Sequence, residues 1–242
     1  MNVTAVGAHQ DDIELFCLGT LLHCRARGDR VSHVVITNGD KGGHLMPEVA
    51  HARVAEIRDA EAAAVAEAIG ATYTNLGGAD GFLCDDEPRR RALAEVLRRD
   101  RTELLIAPPP VDYNADHVAA SQICFQACLL AAMPTLESDH PPLARSPALY
   151  YADAIAPQSP TDHVDVSAVF ERKLELLALH RSQLAILGSF GSSSDLLACA
   201  EVIGRYRGLQ AGVAYAEAFT RASSWPRLPG DRTLPSGSPD SA

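Results

Sequence analysis

Four short apolar runs constrain this chain more than anything else in it, because each is closed by a polar or glycine-rich turn and followed by helical spacing. The runs cover residues 3–7, 30–37, 72–76 and 103–107. Between and after them, apolar positions recur at helical period over residues 14–27, 54–69, 89–99 and 116–132. Strands alternating with helices in this way predict an α/β fold, a Rossmann-like, doubly wound, mostly parallel sheet flanked by helices. The 242 residues fit a single domain over 1–222, and the Pro-, Gly- and Ser-rich stretch 223–242 reads as a flexible tail. Later elements are expected as strands at 148–152 and 163–166, helices at 170–180 and 196–205, and a final element at 213–219.

Composition excludes several classes of function. With 47% hydrophobic and 21% charged residues the chain can bury a core. A net charge of −10 with no Lys/Arg-rich block argues against a nucleic-acid partner. No apolar run reaches the ~18 residues needed to span a bilayer, and nothing resembles a secretory leader, so a cytoplasmic protein is expected. The six cysteines form no C-x-x-C pair, and Cys124 and Cys128, four apart, read as one packed helix face. No G-x-G-x-x-G follows the first strand, so a dinucleotide site is not supported.

The chemistry gathers at two predicted strand ends. Residues 8–14 read Ala-His-Gln-Asp-Asp-Ile-Glu, and residues 112–117 read Asp-Tyr-Asn-Ala-Asp-His. In a doubly wound sheet strands one and four are neighbours across the switch point, where ligands bind. His9, Asp12 and His117 then supply two imidazoles and a carboxylate, a set that suits zinc with one position open, and also other divalent metals. Asp11 is placed as general base, and Asp116 as the group that orients an imidazole. The glycine-rich turn 38–43 forms another wall of the crevice. His44 and His51 lie in loops near it and are read as structural.

These residues resemble the PIG-L/LmbE-like family of metal-dependent deacetylases, whose opening signature Ala-His-Pro-Asp-Asp-x-Glu stands here at residues 8–14 with Gln10 in place of proline. Similar motifs follow in order at 37–43, at Glu56-Ile57-Arg58 with Glu61, and at 76–81, 180–183 and 215–219. The resemblance implies zinc held by His9, Asp12 and His117, Asp11 as base, and a small-molecule N-acylated amino sugar as substrate. A homo-oligomer is also in keeping with it. Arg58, Asp80 and Tyr113 are the expected substrate contacts, with His180 and Gln183 as support or pocket rim. The family's His-x-Asp-His stands here as Asn114-Ala115-Asp116-His117. Asn114 can donate a hydrogen bond to an oxyanion but carries no titrating proton. Proton delivery then falls to Asp11, Tyr113 or Asp112. Two other readings stay open: an amidase of the same family acting on a larger acyl or thiol-conjugate amide, and a binding protein impaired by Asn114.

Overall fold

A computed structural model describes residues 1–155, 158–222 and Leu234. Five strands run parallel: β1 (Asn2–Gly7), β2 (Arg30–Thr37), β3 (Thr72–Gly78), β4 (Leu104–Ala107) and β5 (Ala148–Ala152). They are joined by two short helices, α1 (Asp12–Phe16) and α2 (Leu18–Ala26), and then by α3 (His51–Ala68), α4 (Glu87–Arg99) and α5 (Ala115–Ala131). After β5 come β6 (Asp162–Asp165), α6 (Phe170–Leu177), α7 (Ile186–Ser189), α8 (Leu196–Ala211) and β7 (Ala216–Arg221). The sheet order is β3-β2-β1-β4-β5-β7-β6, with β7 antiparallel to both neighbours. The fold is therefore the mostly parallel α/β sheet expected.

Period-two alternation sends side chains to opposite faces, and both faces are covered. Val3, Ala5, Leu104 and Ile106 join Leu18, Leu21 and Phe170 in one core. Val6, Leu105 and Ala107 join Leu93, Leu97 and Ile123 in the other, which also takes Cys124 and Cys128. Leu234 is buried in the first core, and the rest of the tail expected at 223–242 lies outside the described residues. No described helix is long and apolar enough to cross a membrane.

The helix expected over 14–27 is instead two, broken at Cys17 (φ −145°, ψ 7°). The cause is a buried pair from late in the chain. Glu217 of β7 accepts from the backbone N–H of Gly19 (2.8 Å) and Thr20 (2.7 Å), capping α2. Lys173 of α6 donates to Leu15 O (2.9 Å), at the end of α1, and to Glu217 (2.7 Å). Only glycine fits at 19, since a Cβ there would come within 2.7 Å of the Val166 side chain. The final element, expected over 213–219, is the strand β7, and α8 runs six residues past its expected end to a left-handed Gly212 (φ 75°).

Candidate metal centre

Pairing of Val3 with Leu104 and Ala5 with Ile106 puts the carboxyl ends of β1 and β4 side by side. The chain leaves β1 through Gly7, where a Cβ would stand 2.7 Å from His9 O, and His9 N donates to Asp12 Oδ2 (2.8 Å). After β4 three prolines carry the chain outward to Asp112 before α5 begins. Three donors converge between these turns. His9 Nδ1 lies 3.3 Å from His117 Nε2 and 3.6 Å from Asp12 Oδ2, and His117 Nε2 lies 3.3 Å from Asp12 Oδ1. Donors bound about 2.0–2.1 Å from one tetrahedral zinc stand about 3.3 Å apart. The donor set fits.

Carboxylates hold both imidazoles from behind, which fixes which nitrogen faces the centre. His9 Nε2 lies 3.3 Å from both Asp116 Oδ2 and Asp80 Oδ1. His117 Nδ1 lies 2.9 Å from Asp112 Oδ2, and Asp112 also accepts from Asn114 N (2.9 Å). Burial by itself lowers the pKa of His9, but hydrogen bonds to Asp116, Asp12 and Asp80 outweigh it and raise it well above the ordinary value. Burial likewise lowers His117, and Asp12 and Asp112 then push it up to about 10. Burial raises Asp12, yet His117 and His9 hold it well below the carboxylate range. The acids on both sides of the two imidazoles favour their protonated forms.

Asp11 lies beside this point on the cleft wall, outside the donor triad. Its Oδ1 accepts from Arg58 (3.1 Å), whose buried guanidinium also donates to Gly39 O (3.0 Å) and approaches Asp80 Oδ2 (3.7 Å). Asp80 Oδ2 accepts in addition from Lys41 N (2.8 Å). Arg58 and Asp80, expected to meet substrate, both line the cleft, and there Arg58 contacts Asp11 and Asp80 contacts His9. Asp116, expected among the catalytic groups, accepts from Gly81 N (2.7 Å) and Leu83 N (3.1 Å), behind His9. It orients the imidazole of His9 rather than that of its neighbour His117, which Asp112 orients. The Asp112 side chain is 1% exposed and is engaged with His117. The sequence signal for it is an acid five residues before a ligand, recognisable only once the turn is known.

Asn114 caps α5, its Oδ1 accepting from Asp116 N (2.9 Å), and its amide nitrogen has no partner among the described residues. Tyr113 is 72% exposed at the cleft mouth, its ring 6.4 Å from that of His117. Gln183 donates to Gly42 O (3.0 Å) and so ties the 38–43 turn to the rim. His180 lies behind, 3.4 Å from Glu14 Oε2. His44 reaches the cleft, whereas His51 sits outside it against Asp40 O (2.9 Å).

The family model for PIG-L, GlcNAc-PI de-N-acetylase, matches residues 4–128, which carry every residue of the centre. The chain belongs to the PIG-L family. A curated relative, 1D-myo-inositol 2-acetamido-2-deoxy-alpha-D-glucopyranoside deacetylase 1 of Catenulispora acidiphila, is 32% identical over 165 residues, 56% of this chain and 50% of that protein. The chain spans about half the length of the curated relatives it matches. Among solved structures, N,N'-diacetylchitobiose deacetylase of Pyrococcus horikoshii superposes with a TM-score of 0.79 at 21% identity, covering 91% of this chain and 83% of that one. The 4-carboxy-2-hydroxymuconate hydratase GalB of Pseudomonas putida KT2440 does so with 0.77 at 22% identity, covering 96% and 100%. At these identities the structural likeness is one of fold.

Proposed function

We propose that this PIG-L family member is a zinc-dependent hydrolase that removes the N-acetyl group from a small N-acetylated amino sugar. The observation that carries the reading is the convergence of His9 Nδ1, Asp12 and His117 Nε2 within 3.3–3.6 Å of one another, with Asp11 beside them. The deacetylase named among the relatives supports the choice of bond. Bound by His9, Asp12 and His117, a divalent cation supplies Lewis-acid chemistry, acidifying water and polarising an acyl carbonyl.

The chain's own residues do the rest. Asp11, its Oδ1 fixed by Arg58, takes the proton from the attacking water as the new C–O bond forms. The amide nitrogen of Asn114, left free by the capping role of its oxygen, donates to the carbonyl oxygen as negative charge develops there. Asp11 then returns its proton to the sugar nitrogen as the C–N bond breaks, releasing acetate and a free amine. One base serving as acid makes up for the family histidine that Asn114 replaces. The test is metal analysis of the purified protein together with acetate release from a panel of N-acetylated sugars, before and after chelation. Stoichiometric zinc and chelator-sensitive release are expected. A zinc-loaded protein inert on the whole panel would sink the proposal.

A further inference from the structure

The site is walled by two apolar surfaces that the reaction above does not use, and they differ in size. The cleft, with a volume of about 300 Å³, has Asp11, Lys41 and Asn114 among its polar lining. Phe16, Ile155, Ile186, Leu187, Phe190 and Leu196 supply its apolar lining. Phe190 is 67% exposed and Ile155 48% exposed, large apolar groups presented to water at the mouth of a cleft. Such a surface marks a binding site more often than a packing fault. This wall is firmly seated. Ile186 and Leu196 are buried with Leu15, Leu177 and Ala200 in a cluster of their own, against which Phe16 and Leu187 pack. Leu15 and Phe16 belong to α1, which begins at the ligand Asp12, so the wall is registered to the centre through one helix. The Phe190 ring is braced edge-on by His44, 5.0 Å away.

Asp12, His117 and Phe16 also line a second, smaller recess with Val6, Ile13 and Pro108. Its volume is about 20 Å³, room for one group the size of a methyl or a water.

We infer that the substrate is amphipathic: a 2-acetamido sugar whose acetyl methyl enters the small recess and whose aglycone is an aryl or alkyl group lying against Phe190 and the adjoining Leu187. The inference rests on the deacetylation proposed above and names its substrate class. The two surfaces divide the labour, because the recess has no room for a longer acyl chain and the wall is open and broad. Covering the exposed face of Phe190 with a phenyl ring is expected to tighten binding about tenfold or more.

The experiment is calorimetric binding of phenyl and methyl 2-acetamido-2-deoxyglucosides to the zinc-loaded Asp11→Asn protein, with the same pair on the Asp11→Asn, Phe190→Ala double variant. Methyl 2-hexanoylamido-2-deoxyglucoside is the third ligand. The phenyl glycoside should bind at least tenfold more tightly than the methyl glycoside, Phe190→Ala should cut that ratio at least fivefold, and the hexanoyl chain should gain nothing. Equal affinities, a phenyl advantage that survives Phe190→Ala, or a gain with hexanoyl instead, overturns the inference. Acetate release by the wild-type protein separates it from the reaction itself. With the affinity difference intact and no acetate released, the reaction falls and the apolar subsite stands; with both glycosides deacetylated but bound equally, the reverse holds.

Discussion

At the carboxyl ends of β1 and β4, the carboxylates of Asp11, Asp12, Asp80, Asp112 and Asp116 surround two imidazoles and a single guanidinium, Arg58. Beneath α1 and α2, Lys173 and Glu217 face one another, with Gly19 N, Thr20 N and Leu15 O completing their hydrogen bonds. Both groups are buried, and burial alone does not tell them apart. The difference is closure. The second group is balanced in charge and in donors, so it can only be a brace, each charge set at the helix end whose dipole favours it. The first is left with excess negative charge and three donors aimed at one point. That set could hold a cation.

Asp11→Asn should lower kcat by about 10²–10⁴ with zinc content unchanged, since Asp11 is proposed as base and not ligand; loss of the metal would move it into the donor set. Asn114→Ser keeps the α5 cap and removes the amide donor, and steady-state kinetics should show kcat down by about 10²–10³ at similar zinc content. Glu217→Ala strands Lys173 and uncaps α2, and urea unfolding should report a loss of about 3–5 kcal/mol. Zinc affinity of the folded fraction should hold in that variant; if it collapsed, the brace and the centre would be one unit. Asp112→Asn should weaken zinc about 10–100-fold in a competition titration, and should also lower the metal-free melting temperature, because Asp112 stabilises the protonated His117.

The smallest effect concerns His180. Burial lowers its pKa, but Glu14 outweighs this and raises it above the ordinary histidine value. A group raised on folding stabilises most below its unfolded value, about pH 6.5, and loses that contribution as pH rises through the folded one. The melting temperature of the metal-free protein should therefore fall across that interval. In His180→Gln that component of the fall should vanish.

Much of this was legible in the chain. Period-two and helical spacing located every strand of the parallel sheet, because those signals are local. The switch point followed from strand order, and with it the meeting of residues 9–12 with residue 117. The break at Cys17 was not legible, because its causes, Lys173 and Glu217, lie more than 150 residues away. Nor were the contacts of Arg58 with Asp11 and of Asp80 with His9. As residue types they suit a sugar hydroxyl equally well, and only the packing of α3 against the loops after β1 and β3 turns them towards Asp11 and His9.

The alternation of strands and helices, and the placing of two histidines and an aspartate at adjacent strand ends, are properties of the chain's local pattern. Backbone periodicity and strand order depend on neighbours along the chain, and neighbours are what a sequence displays. Tertiary structure decided which imidazole nitrogen faces the centre, which acids stand behind it, and that an apolar wall from α7 and α8 closes the cleft. Those outcomes follow from competition among buried groups for the same few partners, and that competition begins only when distant segments meet.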